Sequence, residues 1–470
     1  MLSKQDIIDQ VVAHLPFALT DGQKVALEEM SSFICENSGD QLFVLRGYAG
    51  TGKTTLMSAI VKTMKEAQQT TVLLAPTGRA AKVFSSYSKS KAYTIHKVLY
   101  RVSQKEGMLR FSRRKNTMSH VLFIVDEVSM ISDQGSGSSS SLLEDLMKFV
   151  YEGIDCKMIF VGDDAQLPPV HLDESPALDT AYLQRNFNVQ VSSVQLTTVV
   201  RQAIKSGILF NATKLRDKIG IQQYQFPLFS NQPFADFQRV NGGDLEELLH
   251  TLYSRYDSEE VVIVTRSNKR AYQFNEEVRR RILFRDSEIA CGDFIMAVKN
   301  NYYWVEESSE VGFIANGDIM EILSINKMEE IYGFHFAEIA VRLVDYPDFP
   351  HINVKVILES LKSEEASLNE GQITELYRQV AQDYQEIKDG RLRYLKIKND
   401  PYLNAIQVKF SYSLTCHKTQ GGQWKAVLID QGYISDKHIN KEYLRWIYTA
   451  LTRASENVYL INFTDSCFEE

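Results

Sequence analysis

The chain has 470 residues, 44% hydrophobic and 24% charged, which is the make-up of a globular protein long enough for several cores. A formal net charge of −8 excludes a protein that coats polyanions over its whole surface, while leaving room for a local cationic groove. The five cysteines, at 35, 156, 291, 416 and 467, lack CxxC spacing, which argues against a disulfide framework or a metal cluster. No apolar run reaches membrane-spanning length, and "MLSKQDIIDQ" lacks a signal-peptide pattern, so the expectation is a soluble cytoplasmic or nucleoid-associated protein without a membrane partner.

In chain order, "LTDGQKVALEEM" opens a helix with Thr20 or Asp21 as N-cap, and Gln23 carries a carboxamide suited to reading an adenine edge. "QLFVLRGYAGTGKTTLMSAIVKTM" then runs an apolar strand through a glycine-rich turn into a helix with Leu56, Met57, Ile60, Val61 and Met64 on one face. This is the context a P-loop requires. Gly47, Gly50 and Gly52 let the backbone wrap phosphates, Thr51 and Thr55 complete the cradle, Lys53 neutralises the β and γ groups, and Thr54 offers a hydroxyl to Mg²⁺.

Two more strand tips run into helix starts in "VLLAPTGRAAKVF" and "YTIHKVL", where Pro76, Thr77, Thr94 and His96 have the short polar or flat groups that a phosphodiester strand needs. "VLYRVSQKEGMLRFSRRKNTMS", residues 98–119, reads as a hairpin turning at Glu106-Gly107. It carries Arg101, Lys105, Arg110, Arg113, Arg114 and Lys115 against a single acid, a duplex-facing patch in an acidic protein. The apolar strand in "VLFIVDEVSM" ends on Asp126, placed to reach Mg²⁺ through water, and Glu127, placed to orient or deprotonate an attacking water. "SDQGSGSSSS", residues 132–141, is low in complexity and reads as a loop. In "IFVGDDAQLPPV", Gln166 stands beyond a strand where it can touch a γ-phosphate. Together these features specify ATP hydrolysis with ATP and Mg²⁺ as cofactors.

The second half supplies "LTTVVRQA" with Arg201, "VTRSNKRAYQFNEEVRRRI" with Asn268 and Asn275, "YSLTCHKTQGGQW" with Cys416 beside His417, and "RWIYTALTRA" with Arg453. A thiol-imidazole nucleophile is a weak reading of Cys416-His417, because no third group or oxyanion loop accompanies it.

In this set and order, from Leu19 to Ala454, the motifs resemble those of superfamily 1B DNA helicases of the RecD-like, Dda-like and petite-integration-frequency (Pif) group. The resemblance implies an α/β fold of two RecA-like P-loop domains, with ATP in the cleft and single-stranded DNA across the top. It implies domain 1A at 1–97 and 120–196, a 1B pin at 98–119, domain 2A at 197–298 and 402–470, and an SH3-like β-barrel, domain 2B, at 299–401 with a charged helical segment. Short alternating strands and the turn signal Asn316-Gly317 in that last stretch agree with a barrel. The resemblance makes Thr415, His417, Lys418, Thr419 and Asn275 contacts to DNA, and lets Gly421 and Gln423 couple that grip to the nucleotide. It gives Arg201 and Arg453 to the γ-phosphate, and Arg110 and Phe111 to the pin. Thr198 stands where many relatives carry glutamate.

The expected activity is 5′ to 3′ translocation on single-stranded DNA and unwinding of duplex or fork DNA by a monomer. The rival readings are an RNA or nucleoprotein-remodelling translocase and a nucleotide-switched scaffold. The scaffold would tolerate a damaged site, whereas Lys53, Thr54, Asp126, Glu127, Gln166, Arg201 and Arg453 are all present.

Overall fold

The computed structural model describes residues 2–36, 40–105, 108–135, 140–200, 206–222, 224–230, 234–306, 309, 311–435 and 438–469, with residues 102–105 and 108–111 described by backbone alone. Six strands form the first sheet in the spatial order Ala92–Thr94, Thr71–Ala75, Leu122–Val125, Lys157–Gly162, Gln41–Gly47 and Gln190–Leu196, all parallel. Both faces are covered, which is why the strands read as unbroken apolar runs. Alternate residues of one strand serve two cores: Leu42 and Val44 pack with Phe123 and Phe160, while Phe43 and Leu45 pack with Met57 and Ile60. Because the strands are parallel, the tips carrying Gly47, Pro76, Asp126 and Asp163 share one edge of the sheet.

The second sheet has the order Ser413–Thr415, Val261–Thr265, Trp424–Asp430, Ala454–Ile461 and Phe237–Val240, again all parallel. Helix Lys441–Leu451 is buried at every residue from Tyr443 to Leu451. The sequence pattern assigns it a single core face; the structure covers it on all sides, because it lies between the second sheet and the first unit.

Strands Phe294–Ala297, Ile319–Ile331, Phe334–Leu343, Ile352–Ile357 and Ile406–Phe410 close a barrel. Its first and last strands come from outside the 299–401 expected for it. The barrel also shares one continuous apolar cluster with the second sheet, in which Ile295, Val408 and Phe410 meet Leu414 and Val427. The tight turn is not Asn316-Gly317 but Tyr332-Gly333, with φ of +59° and +76°, closing Ile331 onto Phe334. Gly317, at φ +100°, instead donates its N–H to the Ala297 carbonyl ahead of the second strand.

The charged run forms helices Glu370–Gln382 and Gly390–Lys398, and the first buries Leu376 and Val380 against Phe334, Phe336 and Ile357. The hairpin pairs Tyr100–Lys105 with Met108–Arg113, placing Val102 opposite Phe111 and Ser103 opposite Arg110. The Glu106-Gly107 turn and the side chains of Arg110 and Phe111 lie outside the described residues. Among the described residues, no helix is long and apolar enough to cross a membrane.

Candidate nucleotide and strand site

The glycine-rich loop leads into helix Lys53–Glu66 with Gly50 and Gly52 in the left-handed region, at φ +74° and +83°. A Cβ on Gly52 would stand 2.4 Å from Gln23 Nε2, so the loop fits only as glycine. Lys53 Nζ donates to the carbonyls of Gly47 and Tyr48, the latter at 3.0 Å. Thr51 is buried and its hydroxyl donates to the Tyr48 carbonyl at 2.7 Å, whereas Thr54 is exposed and Thr55 half-buried.

Gln23 departs from the expectation of an adenine reader. It is 2% exposed, its Nε2 donates to the Thr51 carbonyl at 2.9 Å, and its Oε1 accepts from the Thr20 N–H at 2.9 Å. Both ends of the carboxamide brace the P-loop against a helix cap. Nearby, the Val200 N–H donates to the Gly50 carbonyl at 3.0 Å; Arg201 lies outside the described residues.

Asp126 accepts from the Glu127 N–H at 2.8 Å and from the Tyr87 hydroxyl. Burial, then the neighbouring Glu127 carboxylate, push its carboxyl up to about 6. Glu127 has left-handed backbone, φ +53° and ψ +37°, a conformation costing a non-glycine residue about 1 kcal/mol. Its Oε1 lies 3.7 Å from Arg453 Nη1. Arg453, 4% exposed, is fixed by Nε donating to the Thr449 carbonyl at 3.1 Å and Nη1 to the Gly422 carbonyl at 3.4 Å. The carboxylate stands on the first sheet's edge and the guanidinium follows a helix of the second unit, so the pair spans the cleft.

Four further bonds, at Ala49, Asp163 and Leu167, cross the same cleft. The Tyr448 hydroxyl accepts from the Ala49 N–H at 2.8 Å and donates to Asp163 at 2.7 Å. The Leu167 N–H donates to the Thr449 hydroxyl at 2.9 Å, and Gln420 Nε2 donates to the Leu167 carbonyl at 2.7 Å. Gln166, 7% exposed, sits between these anchors with no partner for its carboxamide oxygen among the described residues. Sequence reasoning missed Tyr448, Thr449, Gln420 and Tyr87. For Tyr448 and Thr449 the available signal was polar side chains inside the apolar stretch "YLRWIYTAL", which surround a site as readily as they face solvent.

The expected strand contacts separate into two groups. Thr77 caps helix Gly78–Ser88 through the Ala80 N–H at 3.2 Å, and Thr94 caps helix Ile95–Leu99 through the Lys97 N–H at 3.2 Å. His96, whose pKa burial lowers, packs its ring beside Tyr100 and Phe313. Thr415, His417 and Lys418 are half-buried at the end of the second sheet's edge strand, and burial also lowers the pKa of His417 and Lys418. Lys418 Nζ donates to Asn316 Oδ1 of the barrel.

Two residues are not surface contacts. Asn275, 5% exposed, donates to the carbonyls of Phe410 and Ser413, both at 3.0 Å, and accepts from the Ser413 N–H at 2.8 Å. Thr419 is fully buried and its hydroxyl donates to the Cys416 carbonyl at 2.7 Å. Cys416 itself is 1% exposed, burial pushes its thiol up to about 12, and Sγ faces the Trp446 carbonyl, so it forms no dyad with His417.

Gly421 and Gln423 lie away from the P-loop. A Cβ on Gly421, at φ +72°, would stand 2.8 Å from the Ala80 Cβ and 3.3 Å from the Thr77 hydroxyl. The Gln423 carboxamide is exposed while its carbonyl accepts from Arg79 at 3.4 Å. Between them, the Gly422 carbonyl accepts from Arg453 Nη1. Adjacent residues of one loop thus touch the Thr77 cap and the buried arginine.

Residues 18–222 match the AAA domain family model, and residues 410–461 match the UvrD-like helicase C-terminal domain. An uncharacterized protein of Acanthamoeba polyphaga mimivirus is 23% identical over 504 residues, covering 93% of this chain and 98% of that one. The ATP-dependent RecD2 DNA helicase of Deinococcus radiodurans is 32% identical over 185 residues, 39% of this chain and 22% of that one. The ATP-dependent DNA helicase dda of Enterobacteria phage T4 is 27% identical over 294 residues, 59% of this chain and 60% of that one. The chain therefore spans less than two thirds of either of these two helicases. Two RecA-like cores, with the P-loop in one and the UvrD-like helicase C-terminal match in the other, make this chain similar to the RecD2 and dda DNA helicases.

Proposed function

We propose that the chain is an ATP-driven DNA helicase that moves 5′ to 3′ on single-stranded DNA and splits duplex at the 98–119 hairpin. The observation that carries the reading is the Glu127–Arg453 approach, 3.7 Å across the cleft between the two RecA-like units. Glu127 accepts a proton from the attacking water as the bond to the γ-phosphorus forms and ADP departs. Arg453 meets the charge that develops on the equatorial oxygens, so hydrolysis requires the two units to be closed.

Thr54 and Asp126 are the residues that would hold Mg²⁺, and the raised Asp126 carboxyl beside Glu127 is a donor set that a hard cation suits. When bound, the ion withdraws charge from the β and γ phosphates. Gln23 holds the P-loop in shape while Lys53 neutralises phosphate.

Thr77, Thr94, His96, Thr415, His417 and Lys418 would carry the strand across the strand-tip ends of the two sheets. Closure then moves one grip relative to the other through Gly421, Gly422 and Arg453. A tailed-duplex assay tests the reading. Opening of 5′-tailed but not 3′-tailed DNA duplexes, with ATPase stimulated by single-stranded DNA, is expected. Opening of RNA duplexes alone, or ATPase indifferent to nucleic acid, would sink it.

A further inference from the structure

Helix Gly78–Ser88 starts at the Thr77 cap, and its second residue, Arg79, brings a cation beside the expected strand contacts. In sequence such a residue suits a phosphate. The side chain turns instead into the second unit. Its guanidinium carbon lies 3.9 Å from the centroid of the Trp424 ring, and Nη2 donates to the carbonyls of Gln423 at 3.4 Å and Glu259 at 3.5 Å. Nη1 is buried, so the cation could meet a phosphate only by leaving the indole.

The indole is fixed from its other side. Trp424 is 3% exposed, and its N–H donates to the Arg453 carbonyl at 3.0 Å, where strands Trp424–Asp430 and Ala454–Ile461 begin to pair. A Cβ on Gly422 would stand 2.5 Å from the indole Cη2 and 3.0 Å from Arg79 Cδ, so only glycine lets the loop lie this close to both. Gly422 also offers its carbonyl to the Arg453 guanidinium. Arg453 is thus held at its backbone by Trp424 and at its side chain by Gly422, and both of these residues pack against Arg79.

Glu127 belongs to the first unit and Arg453 to the second, so their 3.7 Å approach depends on where the 420–424 loop sits relative to the first unit. A cation over a desolvated aromatic face is a stronger anchor than an exposed one. Arg79 supplies that anchor from the helix that Thr77 caps.

We infer that Arg79 is a positioning residue for hydrolysis: clamped on Trp424, it sets the loop that presents Arg453 to the nucleotide, and it ties that setting to the helix on the strand side. The inference rests on the ATPase reading above and adds to it a residue that acts through Trp424 and Arg453 instead of touching nucleotide or strand.

Steady-state ATPase of the full chain at saturating single-stranded oligonucleotide tests it, together with oligonucleotide affinity by fluorescence anisotropy and urea midpoints. Wild-type turnover is measured first, and a chain without ATPase defeats the motor reading and this inference with it. Arg79→Met keeps the stem and removes the cation; kcat should fall about tenfold, while KM for ATP and affinity for the oligonucleotide change less than about threefold. Arg79→Lys returns a cation to the ring and should turn over at least about threefold faster than Arg79→Met. Adding Trp424→Leu to Arg79→Met should cost less than about twofold beyond the larger single loss, because both remove the same contact. If Trp424→Leu does not fold, the two Arg79 variants decide. Normal kcat in Arg79→Met overturns the inference and leaves the ATPase reading intact. Loss of oligonucleotide affinity with kcat kept would make Arg79 a strand contact, and Arg79→Lys no better than Arg79→Met would make it packing; either result overturns the inference as well.

Discussion

The hydroxyl of Tyr448 stands 2.8 Å from the Ala49 N–H, joining a helix of the second RecA-like unit to the P-loop of the first, and the same oxygen donates to Asp163 at 2.7 Å. A single oxygen therefore bridges the two units. Tyr448→Phe leaves the ring in its buried place and removes both bonds. DNA-stimulated ATPase should fall about tenfold, the worth of a hydrogen bond to a charged group, while hydrolysis without DNA falls less than about threefold. Steady-state ATPase with and without oligonucleotide checks this, and equal losses would assign Tyr448 to packing.

Lys53→Ala should abolish ATP turnover. Glu127→Gln should keep ATP binding and lose at least about a hundredfold in hydrolysis, because the carboxamide cannot take the water's proton. A Glu127→Gln variant that hydrolyses ATP at nearly the normal rate would end its assignment as base. Arg453→Ala should lose hydrolysis comparably and, by leaving Glu127 without its cross-cleft partner, loosen closure.

Asn275→Ala removes three bonds to the backbone at Phe410 and Ser413, where the barrel hands the chain to the second sheet. Orphaned backbone groups there should cost about 2–4 kcal/mol of stability by chemical denaturation. Affinity for single-stranded DNA, measured well below the unfolding transition, should change less than about threefold. A large affinity loss with unchanged stability would restore Asn275 as a strand contact.

Asp318, 4% exposed, has its carboxyl pushed up to about 7, chiefly by burial and secondarily by Asp345, against the Ala315 N–H that it accepts at 2.7 Å. Its folded pKa lies above the unfolded one, so the native state binds the proton more tightly. The stabilising term is full below pH 4 and is lost as pH rises through about 7. Asp318→Asn should therefore raise stability at pH 8 by roughly 2–4 kcal/mol, with the gain vanishing near pH 4. Urea midpoints across that range measure it, and a gain independent of pH would point to packing.

Replacing residues 103–113 with a short Gly-Ser turn should leave DNA-stimulated ATPase and translocation largely intact while abolishing unwinding. The hairpin is a separate two-stranded sheet and supplies no strand to the ATPase core. Normal opening of 5′-tailed duplexes by this variant would remove the pin from the mechanism.

The sequence alone determined the local chemistry. A strand, a glycine-rich turn and a helix at the right spacing marked the P-loop, and apolar runs ending on Gly47 and Asp126 marked buried strands whose parallel arrangement the family resemblance implied. Alternating patterns likewise marked a barrel, although its first and last strands, Phe294–Ala297 and Ile406–Phe410, were indistinguishable from those of the neighbouring sheet. Both sets are short and apolar, and pairing partners distant in sequence decide which sheet receives them.

Tertiary structure decided which polar side chains are available. Gln23, Asn275 and Thr419 have the composition of ligand contacts, yet each has its hydrogen bonds met by nearby backbone. Tyr448, Thr449 and Gln420, ordinary in sequence, became the cross-cleft bonds because helix Lys441–Leu451 is buried between two units. Periodicity reports which face of a helix is apolar; it does not report what lies against the other face, and a polar group acquires its role from that neighbour.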